Sequence, residues 1–249
     1  MNRRQFVLLS TLFSGISVVN NAAAQFNFGK ALEAGQALLQ SETLSDEQLK
    51  SYFDQMAADS DRRNRVAGNN DAYGKRLIKL TRGLESHDGL NLDYKVYLTP
   101  QVNAFAMANG TIRVYSGLMD KFSDDEIRYV IGHEIGHVKS GHTKARIQTA
   151  MRTSALKSAV AATGGKAAEL AESQLGELFE QVVTAQHSQA NEREADDYAL
   201  GFMKTRRYPP IACVTALEKL DSLSGGADAS WLSTHPSPKE RAARLKTQV

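Results

Sequence analysis

The chain has 249 residues, 42% of them hydrophobic and 23% charged, which predicts one sizeable globular domain with enough core to fold alone. Lys and Arg number 30 against 28 Asp and Glu, so the formal net charge is only +2. This balance argues against partners that are recognised mainly by positive charge, such as nucleic acid or an anionic membrane surface.

Residues 1–24 have the pattern of a secretory signal peptide. Arg3 and Arg4 form a charged start, residues 6–19 are apolar with few interruptions, and small residues end the pattern at Ala24. The apolar stretch is short for a bilayer span, so a cleaved leader is favoured over a retained N-terminal anchor. We therefore expect an exported, periplasmic protein with either a Sec or a twin-arginine signal.

The cysteine content predicts neither a lipid anchor nor an internal disulfide. No cysteine lies near the predicted cleavage point, and Cys213 is the only cysteine in the chain. Its apolar neighbours along the chain indicate a buried packing role.

The elements that follow are mainly helical. Residues 25–60 are predicted to form an N-terminal helical arm, and residues 61–249 the main domain. Apolar residues recur at helical spacing from Tyr73 to about His87, and Asp88-Gly89 is interpreted as the turn that closes this helix. Alternation then predicts three strands, and capping and spacing patterns predict several later helices. The strands are expected over residues 92–98, 103–108 and 111–115. The helices are expected over residues 123–140, 143–186, 191–203, 211–223 and 237–246. The second of these ranges is predicted to form two helices, with a break at Gly164-Gly165.

The pattern His133-Glu134-Ile135-Gly136-His137 lies in an apolar run with helical spacing. Residues four apart on an α-helix are offset by only about 40°, so both imidazoles can present a nitrogen to the same ion. Two imidazoles suit Zn²⁺, and Glu134 lies beside them, where it can take a proton from an attacking water. The motif therefore predicts a zinc site on this helix.

Two histidines need a third protein ligand. Gly141 and His142 do not fit the H-E-x-x-H-x-x-G-x-x-H spacing of metzincins, so His142 is interpreted as a polar residue at a helix end. The alternative is an acidic residue on a later helix. Glu192 and Asp196 are four apart, which suits one metal ligand and one carboxylate that accepts the far N–H of a ligand histidine. Spacing alone does not exclude Glu194.

In combination, these motifs resemble a known family. The HExxH motif, the E-x-x-A-D pattern that begins at Glu192, and Thr234-His235-Pro236 before a charged helix are similar to the zinc metallopeptidases that include HtpX and the CAAX prenyl proteases, sometimes called minigluzincins. Residues 103–118 are most like the soluble periplasmic, LoiP-like branch. The likeness covers roughly residues 45–249. The chain departs from that branch in lacking the cysteine that its lipoproteins carry after the leader, and it lacks the transmembrane helices of HtpX.

The resemblance implies an α+β, mostly helical zincin-like fold, with a small three-stranded sheet beside the active-site helix and a zinc metallopeptidase domain over residues 61–249. Its site would hold Zn²⁺, with roles for residues in three motifs. The implied roles are metal ligation by His133, His137 and Glu192, general base catalysis by Glu134, and orientation of a ligand histidine by Asp196.

Two further features are candidates for transition-state and substrate contacts. His235 lies at a His-Pro turn, where its ring can stabilise the negative oxygen of the tetrahedral intermediate or can occupy the fourth zinc position in a resting state. The resemblance also indicates that an edge strand pairs with an extended peptide, although the same alternation fits an ordinary hairpin. The predicted substrate-binding residues are Asn103, Ala104, Phe105 and Ala106.

These predictions favour a zinc metalloendopeptidase that hydrolyses unfolded or damaged cell-envelope proteins. Unfolded proteins or peptides are the expected partners, and envelope proteins are candidate associates. The alternative is a chaperone-like or peptide-binding module with a closed, largely non-catalytic zinc site, and a weaker one is a zinc hydrolase for a non-peptide substrate. The presence of Glu134 favours the enzyme, because a purely structural zinc site needs no base.

Overall fold

The computed structural model describes residues 46–153, 184–224 and 230–249. The predicted leader, the arm up to residue 45 and the predicted break at Gly164-Gly165 lie outside the described residues. The helices are α1 (Asp46–Arg63), α2 (Ala72–Thr81), α3 (Ser116–Lys121), α4 (Asp124–Lys139), α5 (His142–Thr153), α6 (Gln189–Thr205), α7 (Ile211–Ser222), α8 (Trp231–Thr234) and α9 (Pro238–Lys246). The strands are β1 (Ser86–His87), β2 (Leu90–Asn91), β3 (Asp93–Tyr97), β4 (Ala104–Ala106) and β5 (Thr111–Tyr115).

The α+β class is confirmed, and so is the small three-stranded sheet. Its order is β3-β5-β4, with β3 parallel to β5 and β4 antiparallel to β5. The hairpin between β4 and β5 turns at Asn109-Gly110, where Gly110 has a φ of 88°. A Cβ atom there would lie 1.9 Å from the backbone oxygen of Asn91, so only glycine fits this turn. Strand β4 therefore lies at an edge of the sheet.

The predicted helix from Tyr73 to His87 is wrong in its second half. Helix α2 ends at Thr81, whose hydroxyl donates back to the carbonyl of Leu77, and Gly83 follows with a φ of 74°. Asp88 and Gly89 have φ angles of 53° and 78°, so they form a hairpin turn between β1 and β2 and do not cap a helix.

The two faces of the three-stranded sheet pack against different helices. Ala104 and Ala106 belong to the main core, together with the apolar side chains of α4. Phe105 points to the other face, in a second cluster that contains Phe53 and Met56 of α1. Strand β4 is therefore fixed from both faces, as alternation of side chains along a strand allows.

A buried ion pair fastens α1 to the sheet. Arg113 of β5 is 1% exposed, and its guanidinium donates to both carboxylate oxygens of Asp61 in α1, at 2.8 and 3.0 Å. Cys213 is fully buried in α7, as its neighbours predicted. Among the helices of the described ranges, none has the length and apolar composition of a membrane span.

Candidate metal centre

Helix α4 places two imidazoles on one buried face. Its start is fixed by a capping box, in which Ser123 accepts from the backbone N–H of Glu126 and the Glu126 carboxylate accepts from the N–H of Ser123. Its end follows the predicted position, with Gly141 at a φ of 70° just beyond it. The Nε2 atoms of His133 and His137 lie 3.0 Å apart.

Helix α6 brings a carboxylate to this pair of imidazoles. Glu192 is 1% exposed, and its two oxygens lie 3.3 Å from Nε2 of His137 and 3.6 Å from Nε2 of His133. Glu194 points away, with an exposed side chain whose carboxylate lies 3.3 Å from Nε2 of His142. Glu194, which the spacing had left open as the third ligand, is therefore not part of the group of candidate metal donors.

Close packing of α4 against α6 sets this geometry. A Cβ atom at Gly136 would lie 3.0 Å from Cα of Ala195 and 3.1 Å from its carbonyl oxygen. Gly132, one turn earlier, faces the ring of Phe202 in the same way. The small residues allow the backbones to approach closely enough for Glu192 to reach the histidines.

His235 adds a third imidazole from the segment after α8. Its Nδ1 atom lies 3.0 Å from Oε1 of Glu192 and 3.3 Å from Nε2 of His133. Its Nε2 atom lies 3.6 Å from Oε1 of Glu134. The structure therefore brings together the five residues that were predicted as metal ligands or catalytic groups (His133, Glu134, His137, Glu192 and His235). The ring of His235 is turned so that Nδ1 lies among the candidate metal donors.

The donor set fits Zn²⁺. Four buried residues each offer one ligand atom, and these atoms all lie within 4.8 Å of one another (His133, His137, Glu192 and His235). Donors held about 2.0–2.1 Å from one ion in a tetrahedron lie about 3.3–3.4 Å apart, which is close to the separations found here. Oε2 of Glu192 is buried and accepts no hydrogen bond among the described residues, although it forms an ion pair with Arg241. Three imidazoles and one carboxylate are the ligand types that zinc prefers.

Burial and neighbouring charges hold the donors in the states that a metal needs. Burial keeps the pKa of His137 well below its ordinary value, so its ring is neutral. Burial alone would raise the pKa of Glu192, but His235 and His133 outweigh it and hold that pKa far below its usual range. Glu192 is therefore a carboxylate.

Asp196 lies behind His133, as predicted. One of its oxygens is 3.1 Å from Nδ1 of His133 and accepts from the hydroxyl of Tyr129 at 2.7 Å. Arg241 of α9 donates to both oxygens at 2.7 and 2.9 Å. Burial would raise the pKa of Asp196, but Arg241 and His133 hold it well below its usual range.

Arg241 also contacts Glu192, so one guanidinium joins the two buried carboxylates of α6, Glu192 and Asp196. The sequence analysis missed it, although its position carried a signal. The buried residues of α9 are Pro238, Arg241, Ala242 and Leu245, at helical spacing, so a cation occupies the apolar face. A charged residue in such a position needs a buried partner.

Trp231 was also missed. Its indole N–H donates to Oε1 of Glu134 at 3.3 Å, and its ring stacks on that of His235 with the centroids 4.2 Å apart and an interplanar angle of 15°. This one side chain therefore contacts both the candidate base and the candidate fourth donor. The sequence offered no local signal for this role, because Trp231 belongs to a four-residue helix and Glu134 is distant in the chain.

His142 and His187 surround the ring of His137. His142 lies at a helix end, as predicted, but it is buried and its Nδ1 atom is 3.0 Å from Nδ1 of His137. His187 stacks on His137 with the ring centroids 3.8 Å apart. Burial, followed by His137 and His235, holds the pKa of His187 far below its ordinary value.

A narrow cavity connects the centre with the sheet edge. Its free volume is about 10 Å³, which leaves room for about one water molecule. It is lined by the predicted substrate strand, by both candidate catalytic residues and by four residues of the surrounding elements, namely Asn103, Ala104, Phe105, Ala106, Glu134, His235, Thr143, Arg146, His187 and Thr234.

Comparison with known proteins identifies the family. The family model for Peptidase family M48 matches residues 74–249, well over half of the chain. The chain belongs to peptidase family M48. It is 42% identical over 219 residues to the metalloprotease LoiP of Escherichia coli, with 88% of this chain and 87% of LoiP covered. It is 40% identical over 220 residues to the metalloprotease YcaL of the same organism, with the same shares covered.

A more distant relative is the mitochondrial metalloendopeptidase OMA1 of Arabidopsis thaliana. It is 33% identical over 159 residues, which are 64% of this chain and 32% of OMA1. The resemblance found in the sequence is thereby confirmed, as are the enzyme class and the cofactor. This M48 protein is a zinc-dependent metalloprotease, and peptides or proteins are its substrates.

Proposed function

We propose that this M48 metalloprotease is an endopeptidase that cleaves unfolded or damaged proteins of the cell envelope. Its zinc ligands would be His133, His137 and Glu192, and its general base Glu134. One observation carries the proposal: Glu134 and His235, which lie at the buried donor cluster, line one cavity together with residues of the edge strand β4.

The chemistry divides between the metal and Glu134. Zn²⁺, when bound, supplies a Lewis acid for the scissile carbonyl and lowers the pKa of water. Glu134 takes the proton of the attacking water and passes it to the leaving amine. The N–H of Trp231 donates to Oε1 of Glu134 and so orients the carboxylate that takes the proton. Asp196 accepts from Nδ1 of His133, which fixes Nε2 as the metal-binding nitrogen.

Of the two roles predicted for His235, the geometry favours the fourth zinc position. Nδ1 lies with the other donors, and the ring is held there by stacking on Trp231. In this conformation the carbonyl oxygen of a substrate and the ring of His235 would compete for the same coordination position on the metal. Substrate binding then requires His235 to withdraw from the cluster, and its Nε2 side already faces Glu134.

The edge strand supports a preference for unfolded chains. Every second residue of this strand forms backbone hydrogen bonds with β5, namely Asn103, Phe105 and Met107. The backbone groups of the residues between them, Ala104 and Ala106, therefore point away from β5, to the edge of the sheet. An extended peptide can add to such an edge through main-chain hydrogen bonds, whatever its side chains. A folded protein has its backbone groups already paired and cannot bind in this way. The envelope location is supported by the leader pattern in residues 1–24.

The second candidate function is a peptide-binding module with a closed zinc site. It is favoured by the fourth donor that His235 supplies and by a cavity with room for about one water molecule. In that case the zinc-loaded protein would hold unfolded chains without cleaving them.

The experiment compares cleavage of unfolded and native proteins by the zinc-loaded chain. Casein and a reduced, unfolded globular protein should be cut internally, the native form of the globular protein should resist, and a chelator should stop cleavage. Glu134→Gln should retain zinc and lose about a thousandfold in kcat, since general base catalysis contributes about that much. Glu218→Gln, an exposed glutamate on α7, is the matched control and should behave as the wild type.

Equal inactivity of the wild type and Glu134→Gln, at equal zinc content, would overturn the endopeptidase and favour the closed module. The location is tested by expressing the full chain and fractionating the cells. The periplasmic fraction should contain a shortened chain from which residues 1–24 have been removed.

A further inference from the structure

His142 lies directly against a candidate zinc ligand. It is the first residue of α5, and the turn at Gly141, with a φ of 70°, leads the chain from α4 into that helix. Nδ1 of His142 lies 3.0 Å from Nδ1 of His137, which is hydrogen-bond distance. His142 is 7% exposed, so water competes little for this contact. One of the two rings must donate here and the other must accept.

Zinc ligation by His137 decides which ring donates. The Nε2 atom of His137 is the one that lies among the candidate donors, 3.0 Å from Nε2 of His133 and 3.3 Å from Oε1 of Glu192. A nitrogen that binds a metal carries no proton, so the proton of the neutral His137 ring is on Nδ1. Nδ1–H of His137 therefore donates, and Nδ1 of His142 accepts.

The far side of the His142 ring fits this assignment. With Nδ1 as the acceptor, the proton of the neutral ring is on Nε2. Nε2 faces Glu194, whose nearer carboxylate oxygen lies 3.3 Å away and can accept from it. The side chain of Glu194 is 62% exposed, so water can also accept in this place. Both nitrogens of His142 therefore have partners that suit acceptance from His137.

The two histidines of α4 have acceptors of different kinds. Nδ1 of His133 lies 3.1 Å from a carboxylate oxygen of Asp196, a common arrangement for a histidine that binds a metal. Nδ1 of His137 has a second imidazole in the same place, and no other hydrogen-bond partner of this nitrogen occurs among the described residues. Without His142, the buried N–H of His137 would be left unsatisfied.

We propose that His142 is a positioning residue of the metal centre. It accepts from Nδ1–H of His137 and thereby holds Nε2 of that ring toward the metal. The inference rests on the proposed role of His137 as a zinc ligand. The N–H of a metal-bound imidazole is a stronger donor than that of a free ring, because the cation withdraws electron density from it. The hydrogen bond is therefore worth more in the zinc-loaded protein, and its loss should appear as a loss of zinc affinity.

Two substitutions separate hydrogen bonding from packing. His142→Phe keeps a ring of similar size but cannot accept, whereas His142→Asn is smaller and places an amide oxygen near the position of Nδ1. Zinc affinity of the full chain is measured by competition with a chromophoric chelator. His142→Phe should lose about tenfold to a hundredfold in zinc affinity, and His142→Asn should recover most of that loss. Wild-type affinity in His142→Phe, or a loss that His142→Asn does not reduce, would overturn the proposal.

The matched control is His87→Phe, the same substitution on β1. His87 does not belong to the group of candidate metal donors, so its variant should keep the wild-type zinc affinity. A loss in His87→Phe equal to that in His142→Phe would count against a specific role of His142.

The wild type provides a readout that needs no variant. Long-range proton–nitrogen correlation spectra of the zinc-loaded chain distinguish protonated from unprotonated ring nitrogens. Nδ1 of His137 should be protonated, and His142 should carry its proton on Nε2. A His142 ring with its proton on Nδ1 in the zinc-loaded protein would contradict the proposal, even if His142→Phe does not fold.

These measurements keep the inference separate from the endopeptidase proposal. Neither zinc affinity nor the spectra require cleavage, so a zinc-loaded wild type that cuts no peptide would overturn only the endopeptidase. His137→Ala should lose zinc, and wild-type affinity in that variant would overturn both the ligand and the role of His142. Loss of zinc in His137→Ala together with wild-type affinity in His142→Phe would overturn the positioning role alone.

Discussion

Trp231 connects the candidate base with the metal side of the centre. Its N–H donates to Glu134, and its ring covers His235 at a nearly parallel angle. The guanidinium carbon of Arg241 lies 5.2 Å from the centroid of the same ring, so a cation–π contact also holds the indole. A carboxylate oxygen that is held by a buried donor is oriented before the substrate arrives, which is what a general base requires.

Trp231→Phe should therefore lower kcat and leave the metal in place. Phenylalanine keeps the stacking on His235 and removes the single hydrogen bond to Glu134. Since a hydrogen bond to a charged group is worth about 1.5–3 kcal/mol, kcat should fall by about tenfold to a hundredfold, with little change in KM. The measurement is steady-state cleavage of a fluorogenic peptide at equal zinc content. A wild-type kcat in Trp231→Phe would show that the indole does not orient the base.

At the level of single residues, the sequence predicted the part of the site that local spacing determines. His133 and His137 are one helical turn apart, and Glu192 and Asp196 are one turn apart on another helix. Only the resemblance favoured Glu192 over Glu194 as the third ligand. The structure shows why the two differ, since their side chains leave α6 in different directions.

The residues that the sequence analysis missed depend on contacts between distant segments. Arg146 of α5 and His187, which precedes α6, contact each other across the cavity, and no spacing rule links them. Trp231 reaches Glu134 from 97 positions away.

Among the elements, the packing of α4 against α6 matters most for the centre. Gly136 lies against the backbone of Ala195, which is one turn after Glu192 on the same face of α6. The separation of these helices therefore fixes the distance between Glu192 and the two histidines. Elsewhere the local pattern was misleading, because Leu84 continues the helical spacing of α2 although that helix ends at Thr81.

Gly136→Ala should weaken zinc binding by about tenfold or more, since the added Cβ forces α6 away from α4 and misplaced ligands lose affinity on that scale. Overpacking should also lower the free energy of unfolding by about 1–3 kcal/mol. The measurements are competition with a chromophoric chelator and urea unfolding.

The matched control is Gly201→Ala, also on α6. No heavy atom lies within 4 Å of a Cβ built at Gly201, so alanine should raise the free energy of unfolding by about 0.5–1 kcal/mol and leave zinc affinity unchanged. Wild-type zinc affinity in Gly136→Ala would contradict the role given to this contact.

For the whole molecule, the ion pair of Asp61 and Arg113 joins α1 to the sheet that carries the proposed substrate-binding edge. Burial would raise the pKa of Asp61, but Arg113, Lys95 and Tyr97 outweigh it, so that the pKa of Asp61 is lowered. Because the folded pKa lies below the unfolded value of about 3.9, ionised Asp61 contributes its full stability above that pH. This contribution is lost as the pH falls below about 4 toward the folded pKa.

Asp61→Asn should therefore destabilise the protein in a pH-dependent way. Loss of Asp61 leaves the buried Arg113 with the exposed Asp93 as its ion-pair partner among the described residues. This should cost about 3 kcal/mol at pH 7, the lower end for a broken buried pair, and the cost should shrink near pH 3. Urea unfolding at the two pH values measures this difference. Asp54→Asn, which removes an exposed pair with Lys50, should change the free energy of unfolding by less than about 0.5 kcal/mol. A cost for Asp61→Asn that does not vary with pH would contradict the electrostatic account.

The overall architecture was largely predictable, because it follows local patterns. The Asn109-Gly110 turn, the alternation in β3 and β5 and the cap at Ser123 all form from neighbouring residues. The sheet order and the parallel pairing of β3 with β5 could not be read from the sequence, since they depend on which faces α1 and α4 cover. The site combines both kinds of information, a local motif and its tertiary surroundings.

The most direct test of the metal centre compares Glu192→Gln with Glu194→Gln. Zinc bound per chain, after dialysis against a weak chelator, and cleavage of casein are measured in the same samples. Glu192→Gln should lose both zinc and cleavage, because it removes a charged donor from the cluster, while Glu194→Gln, two residues away and exposed, should retain both. Wild-type zinc content and cleavage in Glu192→Gln would contradict the account.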